Sequence, residues 1–218
     1  MGKNKGKERE KMIWIDLSQK IENNMPVYPG DKEVSIEKVK DYNEDGYNMY
    51  VMESQFHSGT HVECPMHLSS SKKYISDFSV ERFCGSAVLL DVREESIITL
   101  KEEYYKTIKE NDIVLLYTGW DSNYGSEKYY YEHPVVSEEL AKFLVMKKIK
   151  MLGMDIPSPD RDDHLIHKMF LENEIFILEN LKNLNKLIYI DRFDVIALPL
   201  NIESEASHTR AIAYYQGY

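Results

Sequence analysis

Hydrophobic and polar positions along this chain follow mostly the pattern of strands: short alternating or solidly apolar runs, cut by turn residues, with helical spacing confined to a few segments. Residues 13–17 alternate around Trp14 and Asp16 as a first strand, and the Asn-, Pro- and Gly-rich stretch 23–31 reads as a loop closed by a tight turn. Residues 34–39 and 47–57 form two further strand candidates joined at Asp45-Gly46, the second ending on His57. A short helix is expected near 77–83, a strand over 87–92 and a helical stretch over 101–109. The compact apolar run 113–118 suits a strand buried on both faces and ends in Gly119-Trp120-Asp121, a natural site wall. Ser137 caps a helix to Lys148, with Glu138 and Glu139 in its first turn and lysines in its last, as the helix dipole favours. Residues 151–156 then give a strand stopped by Pro157-Ser158-Pro159-Asp160. An amphipathic stretch over 164–171, an apolar run over 175–178 and strand material at 195–200 and 211–215 complete a mixed α/β chain with more strand than helix.

Composition narrows the class. At 218 residues the chain is long enough for one substantial core, and we expect a single domain over 12–218 behind a charged tail of residues 1–11 that lacks apolar periodicity. With 43% hydrophobic and 29% charged residues the balance is that of a globular protein, and no apolar run reaches membrane-spanning length. The formal charge of −10 disfavours nucleic acid as a partner and turns attention to small molecules. Cys64 and Cys84, without a secretory-type leader, fit unpaired thiols in the cytoplasm.

The chemistry concentrates in residues 57–67, where His57, His61, Glu63 and His67 fall within eleven positions. All four are odd-numbered, so an extended chain would aim them to one side, yet it would hold His57 and His67 about 33 Å apart. The chain must bend, and Gly59 and Pro65 stand where bends are wanted. Cys64 has the opposite parity and is expected to face away. A single histidine is usually structural; three beside a carboxylate at this spacing point to a metal centre. The helical zinc-protease motif is rejected, because Ser58 and Gly59 follow His57 where that motif needs Glu. Further donors must come from the C-terminal half, where spacing alone leaves His167 competing with His164, and Glu179 with Glu172 and Glu174. Tyrosines crowd residues 122–133, and Trp120 and Tyr124 are candidates for substrate contact, whether lining a cleft or packed across an excursion.

The stretch 57–67 resembles the His-x-Gly-Thr-His-x-Asp-x-Pro-x-His signature of the cyclase family of metal-dependent hydrolases, which includes the bacterial kynurenine formamidases. Ile15-Asp16-Leu17-Ser18, Pro29-Gly30-Asp31, Thr118-Gly119-Trp120-Asp121, His133-Pro134, Asp155 through Asp160, His167, Glu179-Asn180-Leu181 and Ala197-Leu198-Pro199-Leu200 are similar to its other blocks, in order. The resemblance implies a swivelling β/β/α-type fold with a strand-rich sheet and flanking helices. It also implies a homo-oligomer, a homodimer or homotetramer, holding one or two divalent ions. Carried over by position, His57, His61, Glu63, His167 and Glu179 become metal ligands and His67 the catalytic acid/base. Glu63 departs from the family's Asp: its extra methylene moves the carboxylate by about 1.5 Å. Zinc is the expected metal, with manganese or iron compatible with the same N/O donors. A bound cation would lower the pKa of water from ~15.7 to roughly 7 and polarise a carbonyl, while His67 relays a proton to the leaving nitrogen. The expected activity is hydrolysis of an aryl formamide such as N-formylkynurenine. The alternatives are a cyclic imide, lactam or lactone at the same site, or a metal-stabilised binding protein without turnover.

Overall fold

The computed structural model describes residues 11–161 and 163–217. Its strands in chain order are β1 Lys11–Asp16, β2 Ser35–Lys40, β3 Met49–Glu53, β4 His61–Glu63, β5 Cys84–Asp91, β6 Ile97–Ile98, β7 Ile113–Tyr117, β8 Val135–Val136, β9 Met151–Met154, β10 Phe176–Glu179, β11 Phe193–Ile196, β12 Ala206–His208 and β13 Ile212–Gly217. The α-helices are α1 Tyr42–Asp45, α2 Tyr104–Thr107, α3 Glu127–Tyr131, α4 Glu138–Met146 and α5 Leu165–Glu172. Nine strands form one mixed sheet in the order β1-β13-β11-β5-β7-β9-β10-β4-β12. The centre, β5-β7-β9-β10, is parallel, and antiparallel strands flank it on both sides. This is the mixed, strand-rich α/β architecture of the swivelling β/β/α type.

Alternation along the central strands splits the core into two layers. Val114, Leu116, Leu152 and Ile177 pack with Leu140, Leu144, Phe170 and Leu171 of α4 and α5, whereas Ile113, Leu115, Met151 and Phe176 pack on the other face with Val62 and Ala213. Successive side chains point to opposite faces, so strands buried on both must be apolar throughout, as β7 and β9 are. Ser137 caps α4 as expected, its hydroxyl accepting from the Leu140 amide at 3.2 Å.

Several boundaries differ from the sequence expectation. The strand expected over 47–57 ends at Glu53, because β3 pairs only with β2 and its five residues are all exposed; His57 therefore sits on a loop. The expected two-residue turn at Asp45-Gly46 is instead the end of α1, with Gly46 in the left-handed conformation at φ 78°. The stretch 77–83 resolves into 3-10 turns at Ile75–Asp77 and Val80–Phe83, and 101–109 holds only the single turn of α2. Lys11 opens β1 opposite Gly217, and the rest of the expected tail lies outside the described residues. Among the described residues no helix is long and apolar enough to cross a membrane.

Candidate active site

Strand periodicity places the first two donors. In β4, Val62 enters the core while His61 and Glu63 share the opposite face, and all three are buried. The antiparallel register sets Glu179, the last residue of β10, directly across from His61, where cross-strand side chains meet. His57 arrives through a bend at Gly59, whose φ of +66° suits a residue without Cβ; an added Cβ would meet Met25 Cε at 2.7 Å. Past Cys64, a turn beginning at Pro65 folds His67 back, its amide donating to the Cys64 carbonyl at 3.0 Å. Cys64 itself faces the core, as its parity required. His167 comes from α5, whose start is fixed by Asp160: Oδ2 accepts from the Ile166 and His167 amides at 2.8 and 3.0 Å. These elements converge at the C-terminal ends of β9 and β10, where parallel sheets commonly hold ligands.

Glu63, 1% exposed, is the hub. His57 Nδ1 lies 2.8 Å, His61 Nε2 3.4 Å and His67 Nε2 3.7 Å from its Oε1, and His167 Nε2 hydrogen-bonds its Oε2. His61 Nε2 is also 3.4 Å from Glu179 Oε2. The five residues expected as ligands are thus brought together. His67 joins them: it, His57 and Glu63 each offer an atom within 4.8 Å of one another, as do His61, Glu63 and Glu179. Three rings are held through their outer nitrogens. His61 Nδ1 donates to the Gly59 carbonyl at 2.9 Å, His167 Nδ1 lies 3.3 Å from Ser158 Oγ, and His57 Nε2 lies 3.2 Å from Glu205 Oε1. Such contacts fix the tautomer and aim the inner nitrogen, the usual support of a metal-binding imidazole.

The two carboxylates titrate in opposite directions. Burial penalises the Glu63 carboxylate, but the charge and hydrogen bond of His167 with hydrogen bonds from His57 and His61 overcome it and hold its pKa well below the ordinary value. Burial, then repulsion from Glu63 and Asp160, pushes Glu179 well above, and its Oε1 has no hydrogen-bond partner. His57 is driven up to about 10, its hydrogen bonds to Glu205 and Glu63 outweighing burial, while burial and neighbouring imidazole charge take His67 down to about 4 against the pull of Glu63. The cluster's own cationic groups satisfy one carboxylate and leave the other orphaned. A divalent cation among two carboxylates and several imidazoles would satisfy both, so the donor set fits such an ion.

The competing acids stand aside, Glu172 pairing with Lys168 and Glu174 with Lys73. A cavity of about 360 Å³ opens on the cluster, walled by Tyr28, Tyr124, Tyr130, Val27 and Leu68. His164, exposed at the N-terminus of α5, lines this cavity and, with Asp160 and His167, offers atoms within 4.8 Å of one another; it makes no contact with Glu63 among the described residues. Tyr124 lines the cavity, its hydroxyl donating to the Pro26 carbonyl at 3.2 Å. Trp120 does not. Its ring packs against the core, its Nε1 donates to the Tyr129 carbonyl at 3.2 Å, and it does not line the cavity.

Glu205 is the residue that sequence reasoning missed. Its pKa falls to about 2, chiefly through the His57 hydrogen bond. Glu205→Leu is expected to weaken divalent-ion binding about 10- to 100-fold, the usual cost of losing a residue that orients a metal-binding histidine, with Glu205→Gln recovering part of the loss because its amide oxygen can still accept. Chelator-competition titration measures both.

Fold and site together define the class, a protein whose buried histidine–carboxylate cluster, with a donor set that fits a divalent ion, lies at the strand ends of a mixed sheet. The Cyclase family, described as "Putative cyclase", matches residues 15–161, and the chain belongs to that family. The match stops short of His167 and Glu179, which the fold itself carries to the cluster. The kynurenine formamidase of Bacillus cytotoxicus is 30% identical over 209 residues, covering 91% of this chain and 96% of the relative. That of Bacillus cereus is 32% identical over 205 residues with the same coverage. Among solved structures, an isatin hydrolase bound to the product analogue thioisatinate superposes with a TM-score of 0.83 at 22% identity, covering 94% of this chain and 93% of that one, a likeness of fold.

Proposed function

We propose that the protein hydrolyses an aryl formamide of the N-formylkynurenine type, using a divalent ion held by His57, His61, Glu63, His167 and Glu179. The observation that carries this reading is the aromatic-walled cavity opening directly on the cluster, with His67 lining it. A bound ion would supply Lewis-acid polarisation of the carbonyl and acidify a water. Tyr28, Tyr124 and Tyr130 offer ring faces against which an aryl group stacks. Water forms the new C–O bond, the C–N bond breaks, and His67 passes the proton given up by the water to the departing nitrogen, releasing an aniline and formic acid, which ionises to formate in solution. His67 suits this task by position, lining the cavity beside the cluster with a ring that burial keeps neutral near pH 7. Zinc is the first choice of ion and manganese the second, as the mixed N/O donor set allows.

The enzyme is proposed to work in the cytoplasm as a homo-oligomer. Supporting the latter, Val39, Tyr42, Tyr47, Tyr50, Val51 and Met52 on the β2–β3 hairpin are all exposed, an apolar surface of the kind that marks an interface. Metal analysis with a hydrolysis screen tests the function. Zinc or manganese at one or two ions per chain and formate release from N-formylkynurenine, both abolished by a chelator and restored by metal, are expected. Turnover of isatin alone would favour the lactam reading, and bound metal without turnover of any amide, imide or ester would favour a binding protein.

A further inference from the structure

The rim of the active-site cavity carries an arginine and an aspartate that the reaction leaves unused. Arg161 is the only arginine or lysine among the described residues that line it. Its guanidinium is positioned: Nε donates to the His133 carbonyl at 2.9 Å and Nη2 donates to the same oxygen. That carbonyl is itself a fixed anchor, because His133 is 2% exposed with its ring nitrogens 3.1 Å from the Tyr130 and Asp160 carbonyls. No carboxylate among the described residues forms an ion pair with Arg161, and a guanidinium has five N–H donors, so an outward edge remains for a ligand. Asp31 lines the same cavity. Its amide donates to the Tyr28 carbonyl at 2.9 Å in the turn after Gly30, and its carboxylate has no hydrogen bond or ion pair among the described residues.

We infer that the cavity selects formamides bearing a zwitterionic amino-acid tail, Arg161 receiving the tail's carboxylate and Asp31 its ammonium group. The inference rests on the formamidase reading and names the residues that would set its specificity. A cation at the rim matched to an anionic tail sets the register in which such a substrate enters. Planar guanidinium also suits a carboxylate through paired N–H donors. A substrate without a tail leaves both rim groups in water and gains nothing from either.

The test compares N-formyl-L-kynurenine with N-(2-acetylphenyl)formamide, which keeps the aryl formamide and the ketone but lacks the tail, in the metal-loaded wild type and in Arg161→Met and Asp31→Asn. Each substitution is expected to raise KM for the tailed substrate about tenfold, near the lower end of what charge-assisted hydrogen bonds contribute at an exposed site. The kcat on that substrate and kcat/KM on the tail-less one should stay within about twofold. Equal losses on both substrates, or none on either, would overturn the inference while leaving the formamidase reading standing. A wild type inactive on both formamides would sink that reading and the inference with it.

Discussion

His67→Ala should cut formamide turnover by about 10²- to 10⁴-fold, the usual contribution of a positioned proton-transfer group, while the protein keeps its full complement of metal. Distance alone does not make this distinction, since His67 Nε2 lies 3.7 Å from the same Glu63 oxygen that His57 Nδ1 approaches to 2.8 Å. The outer nitrogens make it. His57, His61 and His167 are each braced through the ring nitrogen facing away from Glu63, by Glu205, the Gly59 carbonyl and Ser158. His67 has no such brace among the described residues; its ring stands between those of His57 and His167, with centroids 4.5 and 5.6 Å away. A ligand gains from a locked tautomer, whereas a proton shuttle must change its protonation in every cycle. Elemental analysis of the dialysed variant, run beside steady-state kinetics, checks this. Metal lost in proportion to activity would make His67 a ligand.

The parts of the site read from the chain were those fixed by local geometry. His61 and Glu63 share a face because an extended backbone alternates, and Cys64 turns inward for the same reason. His57 and His67 were correctly expected to need bends at Gly59 and Pro65, although the element carrying His57 proved to be a loop. The choice of His167 over His164 was not legible from spacing, since both lie on one side of a helical turn. It is decided by Asp160, which starts α5 so that His167 reaches Glu63 while His164, in a left-handed conformation at φ 52°, lines the cavity beside Asp160. Glu205 stayed hidden for a related reason. It precedes β12, a three-residue strand with no periodic signal, and reaches His57 only because β12 pairs with β4. Trp120 went the other way: an aromatic side chain at the end of a central strand suggested a site wall, but its indole N–H found the Tyr129 carbonyl and turned the ring to the core.

Glu63→Gln should abolish stoichiometric metal binding and lower turnover on the order of 10³-fold or more. A catalytic ion supplies several kcal/mol of transition-state stabilisation, and each 1.36 kcal/mol is a factor of ten in rate. The amide keeps the size of the carboxylate but removes the charge on which four imidazoles converge and which a divalent ion among them requires. Glu63→Asp asks a different question, because Asp is the residue of the family signature. Shortening the side chain withdraws the carboxylate by about 1.5 Å, and here β4 holds the backbone rigidly between β10 and β12. His167 on α5 is fixed by Asp160 and cannot follow. The aspartate variant should therefore bind metal and turn over substrate better than the glutamine variant but worse than the native chain, with ion affinity down at least about tenfold. Equal or higher affinity in Glu63→Asp, measured by chelator competition, would mean that the spacing between α5 and β4 is not matched to the longer side chain. The native glutamate would then be tolerated rather than required.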